Sequence, residues 1–290
     1  MIAIIGLIVV VASVLGGFAM SHGPFGVLLA YSEWVVICGT AAGTLIVATP
    51  GPIIKDMLKK IVLVFKKNAF TRELYIEALK LLYEMFQIAR KDGLVAIESH
   101  IEDPEKSSVF KKYPQVLHQH HAVEFLCDSL RLVLVGSVPP HDLEAMMDAE
   151  IDVHHEREEK SVAALTKVGD SLPGIGIVAA VLGIVVTMQA INGPIEEIGH
   201  HVASALVGTF LGILLSYGFV APIATNIELM NASETRFYHF LKASVVAFAK
   251  GFAPIVATEF ARRAIFSDVK PTFQEMEAAC KSATKKEKAA

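Results

Sequence analysis

Apolar and polar positions along this chain are organised on two scales. On the longer one, four stretches carry no charged side chain: Met1–Ser21, Trp34–Pro52, Ser171–Ile195 and Val202–Ile227. A helix needs about 20 apolar residues to cross a hydrocarbon core of roughly 30 Å. The pattern therefore predicts transmembrane helices over 1–21, 34–52, 171–190 and 201–227. Outer loops follow at 22–33 and 191–200, too short to fold alone. The polar remainder is an inserted segment, 53–170, and a C-terminal segment, 228–290.

On the shorter scale, the inserted segment has helical spacing. Leu74, Tyr75, Ala78, Leu82, Met85, Phe86 and Ala89 recur at three and four residues, with Thr71 placed to cap a helix over 71–91. Gly93 should end or kink it. Leu94, Ile97 and Ile101 suggest another helical stretch, stopped before Pro104. Helices also fit 115–136, 140–168 and 228–265, the last interrupted at Pro254. No alternating strand pattern stands out. The fold class is thus an all-α integral membrane protein: four transmembrane helices with a large helical cytoplasmic domain inserted between spans 2 and 3.

Charge orients this arrangement. No Lys or Arg precedes Lys55, 16 lie between Lys55 and Lys167, none falls in Val168–Thr235, and ten run from Arg236 to Lys288. Positive charge collects on the cytoplasmic side. Both termini and both polar segments are therefore assigned to the cytoplasmic side of the membrane. A mean hydropathy of +0.50 is too high for an ordinary soluble domain of this length. A net charge of −4 gives no support to nucleic-acid binding. Cys38, Cys127 and Cys280 are far apart and odd in number, so free thiols are expected. The N-terminus lacks a charged n-region and a cleavage pattern, and reads as a retained span. The one biased segment is a short basic tail, Lys285, Lys286 and Lys288.

Candidate chemistry follows from the spans. Ser204, Gly208, Gly212 and Ser216 recur every four residues and should form a packing face, since close backbone approach drives helix association in lipid. The lone Gly39/Gly43 pair is more simply the ordinary glycine content of a span. No acid lies in the middle of a span, and Glu33 is read as sitting at an outer edge beside the interfacial Trp34. An ion path normally needs an intramembrane ionisable group, so any carboxylate for one must come from a partner. Pro173 enters the third span and Pro222 leaves the fourth, and together they could form a hinge layer. Arg90, Lys91, Glu98 and Glu102 surround Gly93, where spacing alone favours a solvated face. The pairs and clusters at His118, His120 and His121, at His154 and His155, and at His200 and His201 lack cysteine support for a zinc site and read as surface residues. No nucleotide loop or nucleophile constellation is present, so the chain reads as a non-enzyme.

Several segments carry a resemblance. Val168-Gly169-Asp170-Ser171-Leu172-Pro173, Gly176-Ile177-Val178-Ala179-Ala180-Val181 and Val207-Gly208-Thr209-Phe210-Leu211-Gly212-Ile213-Leu214-Leu215 are the strongest. Tyr217-Gly218-Phe219 with Pro222, Ile101-Glu102 with Pro104, Met147-Asp148 with Glu150-Ile151, and Glu259-Phe260 with Arg262 add to them. By these the chain resembles the MotA/TolQ/ExbB proton channel family, and within it the flagellar stator members, over nearly its whole length. The resemblance implies a ring of copies around two helices of a MotB-type partner, which carries the ion-accepting aspartate and a wall anchor. Ion flow would turn the ring and push the rotor protein FliG. Arg90 and Glu98 would be the rotor-contact charges, Pro173 and Pro222 the coupling prolines, and Thr209 a residue facing the ion path. Sodium-driven PomA-type relatives have a threonine where this chain has Ala180, so the transported ion would be H+, with no other cofactor. A TolQ/ExbB-type energiser of an outer-membrane process is the runner-up. Its three-span pattern fits less well, and a non-conducting scaffold would be favoured only without a partner bearing a membrane aspartate.

Overall fold

The computed structural model describes residues 2–66, 69–189 and 191–285. Lys286 and Lys288 of the basic tail lie outside them. The described residues are helical with no strand. The α-helices in chain order are α1 (Ile2–Met20), α2 (Phe25–Leu28), α3 (Tyr31–Ala48), α4 (Gly51–Val64), α5 (Arg72–Lys91), α6 (Glu98–Glu102), α7 (Pro114–Leu117), α8 (His120–Val135), α9 (Pro140–Gln189), α10 (Ile195–Ile213), α11 (Ala221–Ala249), α12 (Pro254–Arg263) and α13 (Phe273–Lys285). Short 3₁₀ turns at Leu94–Ile97 and Phe110–Lys112 and a π-helical turn at Leu214–Val220 complete the list. Four helical stretches are long and apolar enough to cross a membrane: Ile2–Met20, Phe25–Ala48, and parts of Pro140–Gln189 and Ile195–Ala249.

The chain forms two compact units. One comprises 1–67 and 157–230, the other 68–156 and 231–290. The first holds the apolar helices. Ile37 and Ala41 of α3 pack with Leu172, Ile175 and Ala179 of α9 and with Val207 and Leu211 of α10. A second cluster joins Met57 and Val64 of α4 to Leu165, Ala224 and Ile227. No residue of α1 is buried. In this unit Lys60 is nearly enclosed and pairs with Asp56, at 3.4 Å, and with Glu158. Ser161 donates to the same Asp56 carboxylate at 2.5 Å. A buried lysine needs such partners, because an unpaired charge out of water costs several kcal/mol.

The second unit has the larger core. Every apolar residue named above for the 71–91 helix is buried in it, against Phe237, Phe240, Leu241 and Val245 of α11. Thr71 caps α5 as expected, its hydroxyl accepting from Leu74 N–H at 3.4 Å. Tyr75 meets Phe237 and Phe240 edge-on at 5.5 and 5.2 Å, and Phe86 stacks on Phe248 at 4.3 Å, geometries that aromatic rings prefer. Glu84 is buried, and it accepts from the Tyr113 hydroxyl at 2.8 Å and pairs with Lys112. Arg262 grips Glu259 with two N–H groups at 2.7 and 2.8 Å and donates a third to the Pro271 carbonyl at 3.1 Å, which fixes the turn leading to α13. All three thiols are free. Burial pushes the Cys127 and Cys280 thiols up to about 12, so neither is a reactive thiolate.

Helix limits depart from the sequence expectation at informative places. The 115–136 helix is broken at His118–Gln119 into α7 and α8. The 140–168 helix does not stop: α9 runs unbroken to Gln189 with Pro173 inside it. Similarly, α10 passes through the π turn into α11. Passing from polar to apolar surroundings changes which side chains are favoured, not the backbone hydrogen bonds, and Gly169 and Pro173 both lie within α9 without ending it. Conversely Pro50 ends α3 at Ala48 and starts α4, since the residue before proline avoids the helical region.

Candidate functional site

In the first unit α9 and α10 meet glycine on glycine. A β-carbon built on Gly176 would lie 2.8 Å from the Gly208 carbonyl oxygen and 3.1 Å from Gly212 Cα. One built on Gly212 would lie 2.6 Å from the Leu172 carbonyl oxygen and 2.9 Å from Gly176 Cα. These atoms are helix backbone, so α9 and α10 can approach this closely only without side chains at these positions. The four-residue repeat on α10 thus packs as expected through Gly208 and Gly212, and Ser216 is buried. Gly39 and Gly43 touch nothing within 4 Å of an added β-carbon, in keeping with the plainer reading of that pair.

Pro173 lies inside α9 and removes the hydrogen bond to the Gly169 carbonyl, four residues back. Pro222 follows directly on the π turn. There the Ala221 N–H reaches five residues back to Ser216, and proline offers no N–H of its own to restore the tighter register. The two weakened turns are in contact: a β-carbon on Gly169 would sit 3.1 Å from Val220 Cγ1 and 3.9 Å from Ala221 N. The structure thus brings together the two prolines' neighbourhoods that the sequence placed at similar depth.

Ala180 is buried in the same seam, its backbone N 3.2 Å from a β-carbon built on Gly208. Thr209, the next residue on α10, is half-buried. Next to them the α9 surface turns outward as an apolar strip: Ile177, Val178, Val181 and Val185 are each more than half exposed.

Arg90 closes α5 and Glu98 opens α6, on either side of Gly93, whose φ of +96° suits glycine. Both charges are exposed, and neither has a salt-bridge partner among the described residues. Arg90 also edges a cleft floored by Leu94, Val138, Phe248 and Phe252.

Glu33 lies at the N-terminal end of α3, where the apolar pattern puts it, but its burial was not expected. It is not at an open edge but 5% exposed, on the first turn of α3, with Oε2 lacking any hydrogen-bond partner among the described residues. Its carboxylate fills a notch left by two glycines: β-carbons built on Gly208 and Gly183 would approach Oε2 to 2.8 Å and Oε1 to 3.6 Å. The signal available in sequence was the glycine at 183 opposite the small face of α10, but nothing in the pattern says that α3 turns its first residues into that seam. Of the histidines, His118 contacts the Pro114 carbonyl at 2.5 Å, His154 packs on Tyr238 with ring centres 4.7 Å apart, and His201 approaches Glu197 to 4.0 Å.

Among the described residues, four long apolar helical stretches, two of them seated on one another through glycines, define a helical membrane protein. Comparison with known proteins specifies it. Residues 4–93 match the family described as Motility protein A N-terminal, and residues 117–238 match the MotA/TolQ/ExbB proton channel family. The chain is 38% identical over 277 residues to Motility protein A of Salmonella typhimurium, covering 96% of this chain and 94% of that protein. It is 36% identical over 273 residues to Chemotaxis protein LafT of Vibrio parahaemolyticus, covering 94% and 96%. Its fold is similar to that of MotAB from C. jejuni, with a TM-score of 0.75 at 21% identity over 91% of this chain and 95% of that one. The flagellar MotAB stator complex from Bacillus subtilis gives a TM-score of 0.72 at 24% identity over 88% and 92%. The chain belongs to the MotA/TolQ/ExbB proton channel family.

Proposed function

We propose that this chain is a stator subunit of a bacterial flagellar motor. It crosses the inner membrane four times, by residues 1–21, 34–52, 171–190 and 201–227, with both termini and the 53–170 and 228–290 segments in the cytoplasm. Several copies enclose two helices of a MotB-type partner. The observation that carries this reading is the α9–α10 seam: glycine-packed helices bear two adjacent proline-weakened turns and an exposed apolar strip, in a chain 38% identical to a motility protein over 96% of its length. The strip at Ile177, Val178, Val181 and Val185 suits contact with partner helices by close packing in lipid. Similarity to a motility protein and a chemotaxis protein favours the motor over a TolQ/ExbB-type energiser.

In this reading H+ passes between the ring and the partner's carboxylate, near Ala180 and Thr209, and turns the ring. Ala180 adds no side-chain oxygen for a dehydrated sodium ion. Pro173 and Pro222 pass the motion on, and Arg90 and Glu98 engage FliG. Deleting the gene is expected to leave flagellated cells that do not swim. Restoring the chain should restore swimming that persists without sodium at constant proton-motive force. Undiminished swimming of the deletion strain, with no other stator set in the cell, would refute the assignment.

The exposed, unpaired state of Arg90 and Glu98 supports the rotor contact, since charges left free on a surface are available to set partner choice. Juxtaposing like charges across an interface costs several kcal/mol, so the double reversal R90E/E98K is expected to lower torque by about tenfold or more. Reversing the opposing rotor charges should recover part of it. Normal torque from the double reversal, measured on tethered cells, would remove both residues from the contact.

A further inference from the structure

The buried carboxylate of Glu33 has no place in a scheme where the partner supplies the only membrane acid. Its surroundings are unusual in three respects. Oε2 has no hydrogen-bond partner among the described residues, although the residue is 5% exposed. The walls are Gly183 and Gly208, which offer space but no donor. Among the described residues, the carboxyl group's side-chain hydrogen bond comes from Ser32, its neighbour in sequence.

Among the described residues no cation pairs with the unpartnered oxygen. Apart from Glu33, α3 carries only Tyr31 and Cys38 as titratable groups, and α2 carries none. The stretch of α9 beyond Asp170 has none. On α10 the charged groups are confined to the outer end: Glu196, Glu197, His200 and His201. His201 precedes Gly208 by seven residues, two helical turns or about 10 Å, and so shares its face. Its ring reaches Glu197, one turn further out, at 4.0 Å. A buried carboxylate with one neighbouring hydroxyl as its donor and no cation is expensive, and a proton removes the expense.

We propose that Glu33 is a proton-accepting group of this chain itself, the first within the membrane to be loaded from the outside. This rests on the four-span orientation given above, which puts the start of α3 and the Glu197–His201 pair on the outer side. The carboxylate takes a proton from hydronium arriving past Glu197 and His201 and leaves water. It holds the proton as a neutral acid in the glycine notch, then gives it to a water molecule on the inner side, regenerating hydronium and the carboxylate. Each copy in the ring would thus load its own proton before the partner's carboxylate receives it.

The experiment uses the full chain with its partner, in cells without another stator. Glu33→Gln keeps the shape but cannot titrate, while Glu33→Asp can. E33Q is expected to copurify with the partner at the parental level, yet to carry proton flux lowered by about tenfold or more, the usual scale for losing a positioned proton-transfer group. E33D should retain flux with an altered dependence on external pH. Parental flux and parental pH dependence in an assembled E33Q complex would overturn the proposal. Should E33Q fail to assemble, E33D decides: a shifted pH dependence supports the proposal and an unchanged one overturns it. Should neither assemble, the unsubstituted complex is treated with a hydrophobic carbodiimide, which reacts with protonated carboxyl groups. Labelling of Glu33 that rises as external pH falls supports the proposal, and no labelling at any pH overturns it. Failure of the unsubstituted chain to restore swimming would instead count against the stator assignment.

Discussion

The Gly212→Val variant is expected to abolish swimming, with little or no partner recovered alongside it. The first atom of the new side chain would fall 2.6 Å from the Leu172 carbonyl oxygen and 2.9 Å from Gly176 Cα. Neither obstacle is a side chain that can rotate away. Both belong to α9, and the carbonyl is that of the residue just before Pro173. The helices must therefore part. Parting them loosens Ile175, Ala179 and Leu211 and exposes Glu33 at the other end of the same seam. Overpacking of a close-packed site typically costs about 1–3 kcal/mol, and here it falls on backbone and sits at the higher end or beyond. Gly43→Ala is the matched control, because its added β-carbon meets nothing within 4 Å inside the chain. Measuring membrane level, partner recovery and swimming for both variants checks the claim. Normal swimming by Gly212→Val would mean that the seam is not closed in the working protein.

Which features were legible beforehand follows from what sequence pattern encodes. Hydropathy and charge sorting report the surroundings of a segment, so the four apolar stretches and the core face of α5 could be read directly. The repeat Ser204, Gly208, Gly212, Ser216 could be read too, because four small residues in register cover one helix face. The opposing partner could not be read. Gly176 and Gly183 are two among 20 glycines, and only the crossing of α9 with α10 and α3 distinguishes them. Glu33 was hidden for the same reason: one acid at the end of an apolar run is ordinarily a solvated edge. Helix ends failed where solvent changes and backbone does not, as at 168–171, and where a local turn such as His118–Gln119 outweighs good spacing. Lys60 is a related case, a lysine in an amphipathic stretch whose burial depends on Glu158, far away in sequence. Arg90 and Glu98 were legible as exposed charges, and their proposed role owes everything to the family resemblance.

The second large effect is expected at Pro222, where stability and function should move in opposite directions. In the Pro222→Ala variant an N–H returns to a position inside a continuous helical path. Proline within a helix costs about 3 kcal/mol, so the local helix should become more stable. With that donor available, the turn now held by Ala221 reaching back to Ser216 can close to the tighter α register. Closing it rotates the segment from Leu214 to Val220 and withdraws Val220 from Gly169, the point at which this turn touches the one weakened by Pro173. The variant is expected to reach the membrane and recruit its partner at parental levels while torque falls by at least about tenfold. A defect in folding cannot imitate that combination. Pairing Pro222→Ala with Pro173→Ala should then cost little more than either change alone, because two elements acting as one unit are not additive. Torque on tethered cells, compared with partner recovery from the same membranes, gives the answer. Losses that simply multiply in the double variant would show that the two turns work independently, and normal torque in Pro222→Ala would show that the π turn is not where motion passes.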